Sequence, residues 1–218
     1  MSHHRPGAGT SGVIFHVLNR GVRRLRLFDD AGDYQAVLSV LAEARARVPV
    51  QVLAYCLMPN HFHLIVRPTA DGQLSAFMQW FTATHSKRWH GWRGTTGTGS
   101  VYQGRFKAFP VQSDTHFLTV CRYVEQNALR AGLVSRAEDW PWCSLGQRSR
   151  KCNTIPTEAW PILQPENWID LVNFLEPTSE AHQVRRALVK SSPYGDRAWT
   201  GRIARDLGLD VSARKRRR

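Results

Sequence analysis

Six stretches of this 218-residue chain alternate between two hydrophobic periods, and their order, β-α-β-β-α-β, leaves few folds open. Residues 13–18 (VIFHVL), 50–58 (VQVLAYCLM), 61–67 (HFHLIVR) and 101–112 (VYQGRFKAFPVQ) are rich in β-branched and aromatic types and read as strands. Between them, 33–47 carries apolar side chains at 34, 37, 38 and 41, and 73–90 carries Leu74, Phe77, Met78 and Phe81. Spacings of three and four mark one face of a helix. Asp29 and Asp30 signal the start of the first helix and Pro49 its end, while Asn19-Arg20-Gly21 reads as a turn after the first strand. Pro59-Asn60 folds the second strand directly onto the third as a hairpin, and the Gly/Thr-rich 91–100 reads as a loop. A third helix opens at Ser113 or Asp114, runs to Ala131 and stops at Gly132. The expected fold class is α+β: a ferredoxin-like βαββαβ antiparallel sheet with helices on one face, the other face being free to carry a site.

The character of the chain changes after about residue 140. Pro and Trp punctuate 140–168, two short helical patterns follow near 178–190 and 196–208, and the chain ends in Arg214-Lys215-Arg216-Arg217-Arg218. We therefore read 12–145 as the main domain and 146–218 as a helical C-terminal extension with a basic tail. Within it, RAWTGRIARDLGLD faintly suggests half of a helix-turn-helix, but a packing helix that steadies the main domain is the better reading.

Charge narrows the partner. Thirty Lys and Arg stand against 17 Asp and Glu, a net charge of +13 with pI near 10.5, which points to a polyanion and most simply to nucleic acid. No apolar run is long enough to span a bilayer, and Met1 to Gly12 is polar, so no membrane role and a cytoplasmic, nucleoid-associated location are expected. Cys56, Cys121, Cys143 and Cys152 show no Cys-x-x-Cys spacing and read as buried apolar residues.

The segment Met58-Pro59-Asn60-His61-Phe62-His63-Leu64-Ile65-Val66 is the most informative for chemistry. Residues two apart in a strand share a face, so His61 and His63 lie side by side while Phe62 enters the core. Two neutral imidazoles can hold one divalent cation, leaving positions for phosphate oxygen and water. Two surface histidines on an edge strand are the plainer alternative, but apolar neighbours on both sides argue for a central strand.

The helix THFLTVCRYVEQNALRA gathers Phe117, Val120, Cys121, Val124 and Ala128 on its apolar side. Tyr123 lies on the order of 130° from the middle of that side, on a stripe with His116, Asn127 and Arg130. A phenol attacking phosphorus forms a covalent phosphotyrosine and expels a DNA hydroxyl, conserving the phosphodiester energy without a nucleotide cofactor. Asn127, one turn on, can add a carbonyl oxygen as third ligand, and such mixed, oxygen-rich ligation suits Mg²⁺ or Mn²⁺.

MPNHFHLIV followed by RYVEQNALRAGLV resembles the single-tyrosine HUH transposases, and more closely the REP-associated tyrosine transposases. HVLNRG, VYQGRFKAF and DWPWCS fit as well, so the resemblance covers roughly residues 12–145. It implies a ferredoxin-like domain acting on single-stranded DNA beside hairpins, His61 and His63 as the metal pair, Asn127 as the third ligand and Tyr123 as nucleophile. The implied product is a 5′-phosphotyrosine and a free 3′-OH, with strand rejoining to follow and the protein acting as a monomer. The chain departs at Ala128, where members often carry Pro, at Cys143, where many carry Ser, and in a tail without the usual Gly-Arg-Pro ending.

Basic residues interleave with aromatics near these motifs. Asn19, Arg20, Arg105 with Phe106 and Lys107, Arg122 and Arg130 are the expected DNA contacts, cations tracking phosphates and rings stacking bases. The tail adds salt-dependent attraction without sequence choice. Two other classes compete. RNA-recognition modules share the topology but place aromatics where these histidines stand. Zinc deaminases need His-x-Glu and Pro-Cys-x-x-Cys, which are absent. A catalytically inactive, domesticated DNA-binding protein that recognises the same hairpins is the remaining alternative.

Overall fold

The computed structural model describes residues 9–151, 155–175 and 179–209. The order of elements is β1 (Ile14–Arg20), α1 (Ala31–Arg47), β2 (Val50–Met58), β3 (His61–Pro68), α2 (Gln73–Arg93), β4 (Lys107–Val111), α3 (Thr115–Glu125), α4 (Asn127–Arg130), α5 (Ser144–Ser149), α6 (Trp168–Asn173), α7 (Ser179–Lys190) and α8 (Arg197–Asp206). The strands form one antiparallel sheet in the order β2-β3-β1-β4, the ferredoxin-like arrangement. Cys152 and the 214–218 tail lie outside the described residues.

Alternation along the strands splits the core in two. Phe15, Val17, Tyr55, Leu57, Phe62, Leu64 and Val66 meet α1 and α2 on one face. Asp30 caps α1 by accepting from the Asp33 backbone N–H, and Phe62 packs edge-on to Phe81 of α2. The opposite face, with Ile14, Ala54, Cys56, Ile65, Phe109 and Val111, is not open as expected: α3 lies across it and the extension packs behind α3. A bulge between Val52 and Ala54 puts Leu53 and Ala54 both on this second face, so the period-two reading of β2 slips there by one residue.

Two other boundaries differ from expectation. The fourth strand starts at Lys107, because 101–106 makes only a brief bridge from Tyr102 to Gly21 before Gly104 turns at φ 149°. The tyrosine helix breaks at Gln126, so α3 and α4 are separate. Gly21 is required where it stands: a Cβ there would sit 2.3 Å from the Leu25 carbonyl oxygen, where the chain folds back on itself.

The extension and the segment just before it, at Trp140 and Trp142, close both edges of the sheet. Along β2, the Val52 N–H donates to Glu158, the Glu158 N–H donates to the Val52 carbonyl, the Leu57 N–H donates to Trp142, and the Trp140 and Trp160 indoles donate to the Leu57 and Leu53 carbonyls. Arg45 of α1 holds Glu158 in an ion pair. Along β4, the segment at Tyr194 exchanges backbone bonds with Pro110 and Gln112. Unpaired edges invite pairing with other chains, and these are blocked by the same chain. Residues beyond 146 also enter both core clusters: Ile203 and Leu207 of the α8 region in one, Trp168, Val172, Val184 and Ala187 in the other. The extension thus packs as part of one body, and α7 and α8 act as packing helices.

Candidate active site

The site forms on the face covered by α3. His61 and His63 project from β3 onto it, while Phe62 is fully buried on the other face, as strand parity requires. Arg20 of β1 stands directly opposite His61, and Leu18 opposite His63. The ring centroids of His61 and His63 are 5.0 Å apart.

Each histidine has its Nδ1 engaged. His61 Nδ1 lies 2.7 Å from Asn60 Oδ1, and His63 Nδ1 lies 2.8 Å from Nε2 of His16 on β1. That leaves Nε2 of both rings as the nitrogen able to meet a cation, the pattern in which a second partner orients an imidazole. Burial pushes His61 down to about 4, with the Arg20 charge adding to it. Burial also takes His63 well below its ordinary value, helped by His16, His61, Arg130 and Arg20. Both rings are therefore neutral near pH 7, with lone pairs available.

Tyr123 reaches the same place from α3. Its ring centroid is 5.9 Å from His63 and 6.2 Å from His16, edge-on to both. Here the helical count fails in one respect: Tyr123 is only 7% exposed, not free of the packed side. The cause is that α3 is covered twice, by the sheet in front and by α6 and α7 behind, so even Glu125 and Gln126 are buried. The Arg130 guanidinium lies over the Tyr123 ring, 4.5 Å from its centroid.

Asn127, one turn beyond Tyr123, is buried as well. Its amide nitrogen donates to the Tyr123 and Val124 carbonyls at 2.9 and 3.2 Å, which pins the side chain at the break between α3 and α4 and leaves its oxygen as the group that could meet a cation. Among the described residues, no group of three His, Cys, Asp or Glu could hold a metal. The donor set is two imidazoles and an amide oxygen, which fits an open, oxygen-completed Mg²⁺ or Mn²⁺ site better than a closed zinc site.

The expected DNA contacts separate into groups. Arg20 and Arg130 flank the histidines, and among the described residues neither pairs with a carboxylate. Arg20 Nε and Arg130 Nη1 are both buried without a hydrogen-bond partner. Arg105 and Lys107 are exposed at the start of β4, Lys107 being opposite Leu18 on the histidine face. Asn19 points to the other face: its oxygen accepts from the Arg20 N–H and its nitrogen donates to Gly104, so it braces the turn. Arg122 is held by Glu180 of α7 at 2.8 Å.

Sequence reasoning missed two residues. His16, fully buried, was read only as part of the VIFHVL strand. A histidine at a core-facing strand position is a signal for a polar contact, but its partner comes from a non-adjacent segment. Glu125, also fully buried, accepts from Ser144 at 2.5 Å, from Arg148 at 2.8 and 3.0 Å and from the Trp168 indole at 2.8 Å. It ties α3 to α5 and α6 directly behind Tyr123.

Cys56, Cys121 and Cys143 are buried free thiols. No helix among the described residues is long and apolar enough to cross a membrane.

Residues 10–127 match the family model described as "Transposase IS200 like". No curated protein matches the chain. Among solved structures, the chain is similar to one described as the REP-associated tyrosine transposase bound to a REP hairpin, at 22% identity and TM-score 0.56, over 72% of this chain and 89% of that one. A second, described as a "putative transposase from Deinococcus radiodurans R1", has 15% identity and TM-score 0.40 over 57% of this chain and 96% of that one.

Proposed function

Because the chain belongs to the IS200-like transposase family, we propose that it nicks and rejoins single-stranded DNA at hairpin sites, with Tyr123 as nucleophile and a divalent cation held by His61, His63 and Asn127. The observation that carries this reading is convergence: a phenol from α3, two neutral imidazoles from β3 and two guanidinium groups that have no carboxylate partner among the described residues meet on one covered face.

A Mg²⁺ or Mn²⁺ ion in this site supplies Lewis-acid polarisation of the scissile phosphate. The protein's own residues do the rest. The Tyr123 oxygen attacks phosphorus and the bond from phosphorus to the 3′ oxygen breaks, giving a 5′-phosphotyrosine and a free 3′-OH. Arg130, against the Tyr123 side chain, stabilises phenolate character as the proton leaves, and Arg20 offers its unpaired N–H to a phosphate oxygen. Rejoining is the reverse attack by a 3′-OH on the phosphotyrosine. Arg105 and Lys107 extend the positive rim along which the strand runs.

The hairpin substrate rests on the resemblance and on the description of the similar solved structure. The closed sheet edges support a monomer. Among the described residues Arg20 and Arg130 have no carboxylate partner, which supports a bound polyanion. Residues 12–145 are the catalytic unit in this reading, with 146–218 as its brace. A cytoplasmic, nucleoid-associated location follows from the DNA substrate.

The test is a denaturing gel of purified protein incubated with hairpin-bearing single-stranded DNA and Mn²⁺ or Mg²⁺. A covalent adduct is expected that disappears in Tyr123→Phe and in His61→Ala/His63→Ala. An adduct surviving in Tyr123→Phe would move the nucleophile elsewhere. No wild-type adduct, with hairpins still bound, would favour the inactive DNA-binding protein, since every proposed catalytic group is present.

A further inference from the structure

His61 and His63 differ in what holds them, and the difference brings in a third histidine. Asn60 Oδ1 is purely an acceptor, so the His61 proton sits on Nδ1 and the Nε2 lone pair is fixed. His63 has no such partner. Its Nδ1 faces His16 Nε2 at 2.8 Å, and the two ring planes are 10° apart. Imidazole is amphoteric, so this bond admits two proton orders. In one, His63 Nδ1–H donates to His16, and His63 Nε2 presents a lone pair. In the other, His16 Nε2–H donates to His63, whose proton then sits on Nε2 and blocks a metal.

His16 is fully buried, and among the described residues its second nitrogen, Nδ1, has no hydrogen-bond partner. Nothing on the His16 side therefore fixes the proton order, and the choice falls to the open end at His63 Nε2. We propose that His16 is a positioning residue for the cation site: by accepting from His63 Nδ1–H, it holds the tautomer in which His63 Nε2 is a ligand. The inference rests on reading His61 and His63 as a cation site. The movement is balanced within the pair. As the cation takes the His63 Nε2 lone pair, His63 carries its proton on Nδ1 and His16 carries its own on Nδ1. No net proton is gained or lost between two rings that were neutral beforehand.

The test is calorimetric titration of Mn²⁺ alone into the full chain and into two variants, each checked for folding by its thermal transition. His16→Phe removes the acceptor and is expected to weaken Mn²⁺ binding about 10- to 100-fold. His16→Gln, whose Oε1 falls near the position of the imidazole Nε2, is expected to recover most of that loss. Equal affinity in wild type and His16→Phe overturns the proposal, as does His16→Gln binding no better than His16→Phe. If His16→Phe does not fold, ¹⁵N spectra of the wild-type imidazoles with Zn²⁺ as a diamagnetic probe decide the matter. His63 and His16 both protonated at Nδ1 is the expected result, and His16 protonated at Nε2 overturns it. Wild-type protein that binds no Mn²⁺ removes the cation reading itself, and this inference with it, which separates that failure from the others.

Discussion

The two faces of this sheet are built from the same strands and do opposite work. On one, Phe62, Leu64 and Val66 interlock with α1 and α2 in an apolar core whose polar groups are few and paired, such as His85 with Tyr102. On the other, His61 and His63, which flank Phe62, sit with His16 of β1 in a cluster with Tyr123, Arg130 and Arg20 that leaves three nitrogens without partners among the described residues. Burying polar groups unpaired costs stability, so it is found where a ligand completes the bonds. The first face supplies the stability that the second gives up by burying these polar groups.

The sharpest test of this division sets adjacent strand and helix positions against each other. Phe62→Ala should cost about 3–5 kcal/mol in chemical denaturation, because it empties a fully buried aromatic site. Tyr123→Phe should abolish the covalent adduct while costing only about 1 kcal/mol, because it removes one hydroxyl and keeps the packing. If Tyr123→Phe proved as destabilising as Phe62→Ala, the second face would be a structural core and the comparison would collapse.

A second test asks whether the site face depends on what lies behind it. Glu125→Ala strands Arg148 and the Trp168 indole, and should destabilise by about 3–5 kcal/mol. Because Glu125 is in the turn next to Tyr123 yet faces the extension, the loss should appear as faster hydrogen exchange in α3, α5 and α6 together. Exchange confined to α5 and α6 would show that the extension does not brace the tyrosine helix.

The mildest test is titration. Burial holds His16 at about 3, and His61 and His85 at about 4, with His63 well below its usual value. In the unfolded chain these rings take up protons near pH 6.5, a value typical of free histidine at about that pH. The unfolded state therefore binds more protons than the native state as pH falls. Stability is complete above about pH 6.5 and drains away as the pH drops from there toward about 4. The loss should reach several kcal/mol, because four rings that protonate freely when unfolded resist it when folded, each at roughly 1.4 kcal/mol per pH interval of one. Three of the four rings belong to the site face. Replacing His85 alone, by His85→Gln, should leave most of the acid sensitivity in place when unfolding is followed against pH.

The sequence by itself determined the order of elements, the strand parity that sets His61 and His63 against Phe62, and the family to which the chain belongs. These rest on local periodicity and contiguous motifs, which a single chain carries in plain view. It also suggested Tyr123, but for a reason the structure revises. A helical wheel assumes one buried side, and α3 has two, so Tyr123 lies off the apolar stripe and is still buried. The β2 bulge, the break at Gln126, the bracing role of Asn19 and the pairing of Arg122 with Glu180 were equally hidden, since each depends on a partner far along the chain. What only the tertiary structure decided is the meeting of β1, β3 and α3 that sets His16 against His63 and Arg130 against Tyr123. No spacing in the sequence encodes contacts between segments that the fold alone brings side by side.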